Sequence, residues 1–169
     1  MSRPDASGET EIIRFRYDSS GHRIGKDSGI YHISYSGGEI VYAGETTRTS
    51  YSYLGDTLTQ INISAPTGNS SLHFTYDELG PMSVTYDGAE YFYLKNAQGD
   101  VTGLVNTSGT QVVAYTYDAW GNPISTTGSM ANTLGKDNPF RYRSYFYDTE
   151  TGLYYVSSRY YDPERENRS

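Results

Sequence analysis

Four short runs share one frame and constrain this chain more than anything else in it. YDSSG at 17–21, YDELG at 76–80 and YDAWG at 117–121 read Tyr-Asp-x-x-Gly, and YDTETG at 147–152 is one residue longer. An aspartate at a strand end accepts hydrogen bonds from backbone N–H groups, expected here two and three residues on. The glycine supplies the positive φ that returns the chain antiparallel. The expected turn residues are Asp18 with Gly21, Asp77 with Gly80, Asp118 with Gly121, and Asp148 with Gly152. YDG (86–88), NAQG (96–99) and NTSG (106–109) read as variants of the same device. Six Tyr-Asp dipeptides, four of them in this frame, mark an internal repeat of β-hairpins.

The segments between the turns alternate in polarity. Ile13, Phe15 and Tyr17 share one face of EIIRFRY, with Arg14 and Arg16 on the other. Tyr31, Ile33 and Tyr35 group in the same way, as do Leu72, Phe74 and Tyr76, and Val113, Tyr115 and Tyr117. A period of two over so many segments predicts half-buried antiparallel strands. The expected fold is all-β: consecutive antiparallel hairpins forming a curved or spiral sheet. Residues 11–163 form that domain, between disordered tails at 1–10 and 164–169. STTGSMANTLGKDN (125–138) lacks alternation and reads as a crossing loop without support for a helix.

Composition enters on the question of a core. Nine Ile, eight Leu, seven Val and five Phe make about 17% of the 169 residues, a supply typical of disordered chains. Nineteen Tyr and one Trp reverse that reading, because each aromatic buries roughly 150–250 Å² while its polar tip reaches a partner or water. The core is therefore expected to be phenolic. With no cysteine there is no disulfide, thiolate nucleophile or cysteine-ligated metal. A net charge of −7 argues against nucleic-acid partners, and no apolar run approaches the roughly 20 residues of a membrane span. The polar start is not expected to act as a secretory signal.

From Phe74 to Glu164 the chain resembles the Rhs/YD-repeat family, specifically the Rhs repeat-associated core in the C-terminal part of its shell. The resemblance rests on YFYLKNAQGDVTGLVNTSGTQVVAYTYDAWGNPI (91–124) and NPFRYRSYFYDTETGLYYVSSRYYDPE (138–164). Residues 11–73 are similar to more divergent repeats. The resemblance implies a spiral of hairpins closing into a hollow shell around a C-terminal toxin or effector, in bacterial polymorphic toxins or wall-associated proteins. It implies a parent protein that is secreted or at the cell surface. Many bacterial members continue past the aspartate-proline motif into an aspartyl autoprotease. Here Asp162-Pro163 is followed by ERENRS, without the glycine-arginine-aromatic run or the second aspartate-proline. Paired carboxylates are what that chemistry needs, so Asp162 reads as a turn residue. A second departure is Ser144 where the family has glycine, a substitution that strains the backbone only if φ there is positive.

Other chemistry finds little support. His22, His32 and His73 have no metal-ligand spacing, and His32 and His73 are expected to face solvent. GHRIGKDSG (21–29) lacks the spacing of a phosphate loop, and there is no nucleophile elbow. No metal, cofactor or catalytic residue is expected. Arg141 and Arg143 are expected on one strand face, and they and Arg159 are expected to stack on tyrosines or fork onto a turn carboxylate such as Asp148 or Glu150. These arginines read as glue between hairpins; the alternative places Trp120, Arg141, Arg143, Tyr145 and Arg159 on a binding surface. Trp120 is either a plug on the sheet or a recognition residue. Three functions follow: a non-catalytic shell segment, a secreted module binding glycans or a protein through exposed Tyr and Trp, or an autoproteolytic enzyme. The expected partners are the rest of a shell, a C-terminal cargo, or the chain itself through its strand edges.

Overall fold

The computed structural model describes residues 9–36, 39–156 and 159–166. The chain divides into two compact units, Met1–Ser71 and Leu72–Ser169. In the first, β1 (Glu9–Tyr17), β2 (Arg23–Ser36), β3 (Glu39–Ala43), β4 (Thr46–Leu54) and β5 (Thr57–Ala65) are all antiparallel neighbours. β2 is 14 residues long and pairs with β1 along one edge. Its other edge is shared, Gly25–Gly29 pairing with β4 and His32–Ser36 with β3. The junction needs glycine on both sides: a Cβ on Gly29 would lie 2.4 Å from the Glu45 carbonyl oxygen, and one on Gly44 2.0 Å from that of Ile30. The glycine-rich run 21–29 is thus a turn and a strand.

The second unit takes in most of β6 (Gly68–Asp77), then β7 (Gly80–Tyr86), β8 (Ala89–Lys95), β9 (Val101–Asn106), β10 (Gln111–Tyr117) and β11 (Pro123–Thr127), each paired with the next. A single helical turn, α1 (Leu134–Asp137), and a 3₁₀ turn (Tyr142–Ser144) follow. A second antiparallel sheet is made of β12 (Phe146–Asp148), β13 (Leu153–Val156) and β14 (Arg159–Tyr161), and α2 (Pro163–Glu166) closes the described chain. The architecture is all-β, built of consecutive antiparallel hairpins. In this unit alternation holds in β6, where Leu72 and Phe74 are buried while His73 is exposed; in β10 Val113 and Tyr115 are buried beside exposed Thr116, but Val112, within the register shift between Gln111 and Val113, is buried too.

The element limits differ from expectation in three places. Strand pairing starts at Glu9, opposite His32, so the N-terminal tail ends earlier than residue 10. The expected loop 125–138 opens with the end of β11, held by the Thr116–Ser125 hydroxyl pair at 2.7 Å, and closes with α1. The tail expected from 164 contains most of α2, because the Asp162 carboxylate accepts the N–H groups of Glu164 and Arg165 and Pro163 occupies the first helical position. Residues 1–8, 167–169 and the side chains of His32, Ile33 and Tyr35 lie outside what is described.

Candidate functional site: a buried arginine and tyrosine hub

The turns use their aspartates in a slightly different way from the expected one. Asp118 Oδ1 accepts from the N–H of Trp120 (2.8 Å) and of Asn122 (2.9 Å), two and four residues on. Asp18 does the same with Ser20 and His22, both at 2.9 Å, and Asn96 and Asn106 repeat the pattern. The N–H three residues on belongs to the glycine and bonds the aspartate's own carbonyl, as Gly121 does to Asp118 at 3.2 Å. Backbone hydrogen bonds from His22 and then Ser20 hold the Asp18 carboxyl below its ordinary range. At Asp118 desolvation pushes upward, but donors from Asn122, Trp120 and Gly121 outweigh it and the net shift is down. YDG at 86–88 is a different device: Asp87 and Gly88 both have positive φ in a two-residue loop between paired Tyr86 and Ala89.

Segment 129–145 lies on the aromatic face of the second unit's main sheet. Phe140 is seated edge-on among Phe74, Tyr76 and Tyr93, at centroid distances of 5.1, 6.2 and 6.1 Å. Asn138, 1% exposed, satisfies all its polar capacity there. Its Oδ1 accepts from the Tyr93 hydroxyl (2.7 Å) and from Phe140 N–H (3.4 Å), and its Nδ2 donates to Tyr115 Oη (3.2 Å) and the Phe140 carbonyl (3.0 Å). The Tyr115 hydroxyl donates onward to the Gly135 carbonyl at 2.9 Å, and Tyr86 donates to Asp137 at 2.8 Å.

Arg141, 5% exposed, is the cation of this hub. Where the sequence suggests a turn carboxylate as its partner, its donors meet the main-chain carbonyls of Asn138, Phe140 and Gly135. Its guanidinium lies 4.0 Å from the centroid of the Tyr115 ring. Burial pushes the phenols of Tyr93, Tyr115, Tyr117 and Tyr154 upward, so they stay neutral donors.

Arg143 does not share a strand face with Arg141. The Asp100 carboxylate accepts the Arg143 N–H at 2.9 Å and the Gly99 carbonyl accepts the Ser144 hydroxyl at 2.8 Å, drawing these residues into the 3₁₀ turn. Arg143 and Ser144 consequently sit at φ +51° and +56°. The condition under which serine strains this position is met. Arg143 is exposed, 5.3 Å from the Tyr142 ring centroid.

The YDAWGN turn is a socket for the second sheet. Tyr154, fully buried, donates to the Gly121 carbonyl at 2.7 Å, and Tyr161 donates to that of Trp120 at 2.9 Å. Asn122 Nδ2 reaches the Pro163 carbonyl at 3.4 Å. Gly121 is required twice over: its φ is +91°, and a Cβ there would lie 2.5 Å from the Tyr142 ring. Around Tyr154 the rings of Tyr147, Tyr161, Tyr142 and Tyr145 stand 4.8 to 6.5 Å away. Tyr145 is thus a half-buried member of this cluster, Arg159 is exposed on β14, and Trp120 keeps 44% of its surface exposed. Asp148 is 1% exposed, and its carbonyl accepts from Gly152 at 2.8 Å across the longer turn.

His73 is exposed as expected, whereas His22 is half-buried: its ring stacks on Tyr53 (4.8 Å, 21°), with Nε2 3.0 Å from Asp56 and Nδ1 3.4 Å from Asp18. No cluster of metal-ligating side chains occurs among the described residues, and no helix among them is long and apolar enough to cross a membrane. Sequence reasoning missed Asn138, Tyr93, Asp100 and Gly135 as members of the hub. The only signal was their place inside or beside the quoted motif runs.

The family model RHS Repeat matches residues 96–129, a stretch that contains the Asn96, Asn106 and Asp118 turns. Among known proteins the chain is 38% identical over 150 residues to the tRNA3(Ser)-specific nuclease WapA of Bacillus spizizenii, covering 88% of this chain and 6% of that protein. The tRNA nuclease WapA of Bacillus subtilis matches at the same identity and coverage. Salivary gland surface protein 1 of Aedes aegypti is 29% identical over 97% of this chain and 5% of its own length. The chain therefore spans about one-twentieth of these relatives. In fold it is similar to the crystal structure of TcdB2-TccC3, with a TM-score of 0.67 at 16% identity over 95% of this chain and 8% of that one. The Photorhabdus luminescens Tc holotoxin pore gives 0.66 at the same identity and coverage.

Proposed function

This chain is an Rhs/YD-repeat domain, and we propose that it serves as a non-catalytic wall segment of an Rhs/YD shell that encloses a C-terminal effector. One observation carries the reading. The buried polar groups of the hub, from Arg141 to Tyr154, donate to main-chain carbonyls and to Asn138, a use that fixes one layer on another. Asp162 is engaged as the cap of α2, which suits a structural aspartate better than a nucleophile or acid. The partners are the rest of the shell and its cargo, and the parent protein is secreted or displayed at the cell surface.

The test uses the full-length parent. With the wall intact, its C-terminal region resists added protease; Arg141→Met, which loosens the hub, exposes it and speeds digestion at least several-fold. Equal digestion in both proteins defeats encapsulation. Intact mass over days at several pH values addresses catalysis, since a discrete scission near Asp162 would make the chain an enzyme.

A second reading has its own observation. Trp120 is 44% exposed, in a turn whose backbone is fixed by the bond from the Tyr161 hydroxyl to the Trp120 carbonyl, which suits a module recognising glycans or a protein. Binding on a glycan array or in a pull-down that disappears in Trp120→Ala supports that module. Self-association through strand edges belongs to the wall reading, and light scattering reports it.

A further inference from the structure

We propose that Tyr155 and Tyr160 form an oxidative cross-linking site, at which a one-electron oxidant of the peroxidase and hydrogen peroxide class joins β13 to β14 through a dityrosine bond. A chain with no cysteine and nineteen tyrosines has phenol coupling as its route to an oxidative staple. Tyr155 and Tyr160 face each other directly in the register of β13 and β14. Opposed residues on one face of an antiparallel pair are near enough for their side chains to touch. Their ring centroids are 5.4 Å apart at an interplanar angle of 51°. Strand alternation puts them on the face opposite Tyr154 and Tyr161, away from the tyrosine cluster.

Exposure selects this pair over the others. Tyr147 and Tyr154 are closer, at 4.8 Å, but Tyr154 is fully buried and its hydroxyl is committed to the Gly121 carbonyl. Burial also pushes the phenols of Tyr154 and Tyr147 upward, which opposes the proton loss that accompanies oxidation. Tyr160 presents 44% of its surface to solvent, with Tyr155 half-buried beside it. In the coupling each phenol loses one electron and one proton, and hydrogen peroxide is reduced to two waters. The two radicals join by a carbon–carbon bond between ring positions ortho to the hydroxyls, and the displaced ortho hydrogens return to the oxygens. Among the described residues β14 is a three-residue edge strand paired within its sheet to β13, so the bond would hold the strand that carries Tyr161 to its socket.

Arg159 lies between the two tyrosines, which makes the test direct. The dilute chain is treated with peroxidase and hydrogen peroxide, then digested with trypsin. The expected product is a monomer lighter by two hydrogen atoms, with dityrosine fluorescence, whose peptides on either side of Arg159 stay joined after cleavage. Tyr160→Phe abolishes the joined peptides and Tyr161→Phe retains them. Circular dichroism confirms that both variants are folded, and a third variant, Tyr155→Phe, repeats the loss from the other side. Joined peptides that survive Tyr160→Phe, coupling only between molecules, or no coupling under conditions that dimerise free tyrosine would each overturn the proposal.

Discussion

Each of the two units holds a buried arginine against an aromatic ring, and they use it in different settings. In the first, Arg23 is 1% exposed with its guanidinium 4.2 Å from the Phe15 centroid. Only three apolar side chains of that unit are buried among the described residues, Tyr51, Leu58 and Ile61. In the second, Arg141 stands over Tyr115 within a core of twelve, from Leu72 to Tyr154. Among the described residues the difference is a cover. A hairpin sheet has two faces, and burying one takes a second layer. The second unit supplies that layer from its own chain in segment 129–145, fastened by hydroxyls and a guanidinium. The first unit's neighbouring hairpins are tied by surface chemistry, as where His22 bridges the turns that hold Asp18 and Asp56. An interior of phenols needs polar acceptors to work as a core, and the acceptors are carbonyls of the covering segment.

Removing the cation of the hub should break this contrast most severely. Arg141→Met leaves the carbonyls of Asn138, Phe140 and Gly135 short of donors, at a cost of about 3 kcal/mol. Hydrogen exchange should then quicken at β9 and β10 while amides of β4 and β5 change little; equal loss in both units would refute the division. Asn138→Ala should cost about 2 kcal/mol in the second unit, read by urea denaturation, because the Tyr93 hydroxyl and the Phe140 backbone lose partners together.

Alkali tests the same core without mutation. Tyr93, Tyr115 and Tyr154, which are buried, and half-buried Tyr117 keep their protons in the folded state to higher pH than in the unfolded chain, where tyrosine titrates near pH 10. Above about pH 10 the unfolded state therefore binds fewer protons, and stability falls as pH rises. Tyr154→Phe should cost about 1 kcal/mol at neutral pH and make the alkaline decline shallower, seen in denaturation series from pH 8 to about 11. The turn aspartates act at the other end of the scale. Asp18 and Asp118 have lowered carboxyl pKa values, so their contribution is present above about pH 4 and is lost as pH falls through the folded values. Asp118→Asn should weaken the acid limb of the stability profile.

Ser144 gives a finer test. Left-handed backbone costs a non-glycine residue about 1–2 kcal/mol, and its hydroxyl bond to the Gly99 carbonyl returns about 1 kcal/mol. Ser144→Ala keeps the strain and loses the bond; Ser144→Gly loses both. Glycine should therefore be the more stable of the two variants by about 1–2 kcal/mol, by thermal denaturation. The smallest effect is expected in the first unit, where His22→Gln removes side-chain contacts to Asp18 and Asp56 worth less than about 1 kcal/mol.

How much of this was legible depended on whether the cause was local. The Asp and Gly positions of the turns, and the faces of Leu72 to Tyr76 and Val113 to Tyr117, follow from backbone dihedrals and strand period, which a few residues encode. Arg141 and Arg143 were misplaced on one strand because their conformation is set by Asp100 and Gly99, some forty residues away. By sequence Asn138 is only the end of a loop, because its partners, Tyr93 and Tyr115, come from strands that only the folded sheet brings together. Even Asp18 and Asp118 bond one residue further along than expected, since the N–H of Gly21 and of Gly121 is taken by the aspartate's own carbonyl.

The sequence alone determined that the protein is a run of tyrosine-faced antiparallel hairpins, that it belongs with Rhs/YD repeats, and that its chain reverses at the Tyr-Asp-x-x-Gly turns. Those properties reside in period, turn chemistry and motif, all short-range. Tertiary structure decided which hairpins acquire a core, which arginine is buried, and that the YDAWGN turn is a socket for the final strands. Burial of a hydroxyl or a guanidinium is favourable only when a partner arrives from elsewhere in the chain, and that arrival is a property of the fold.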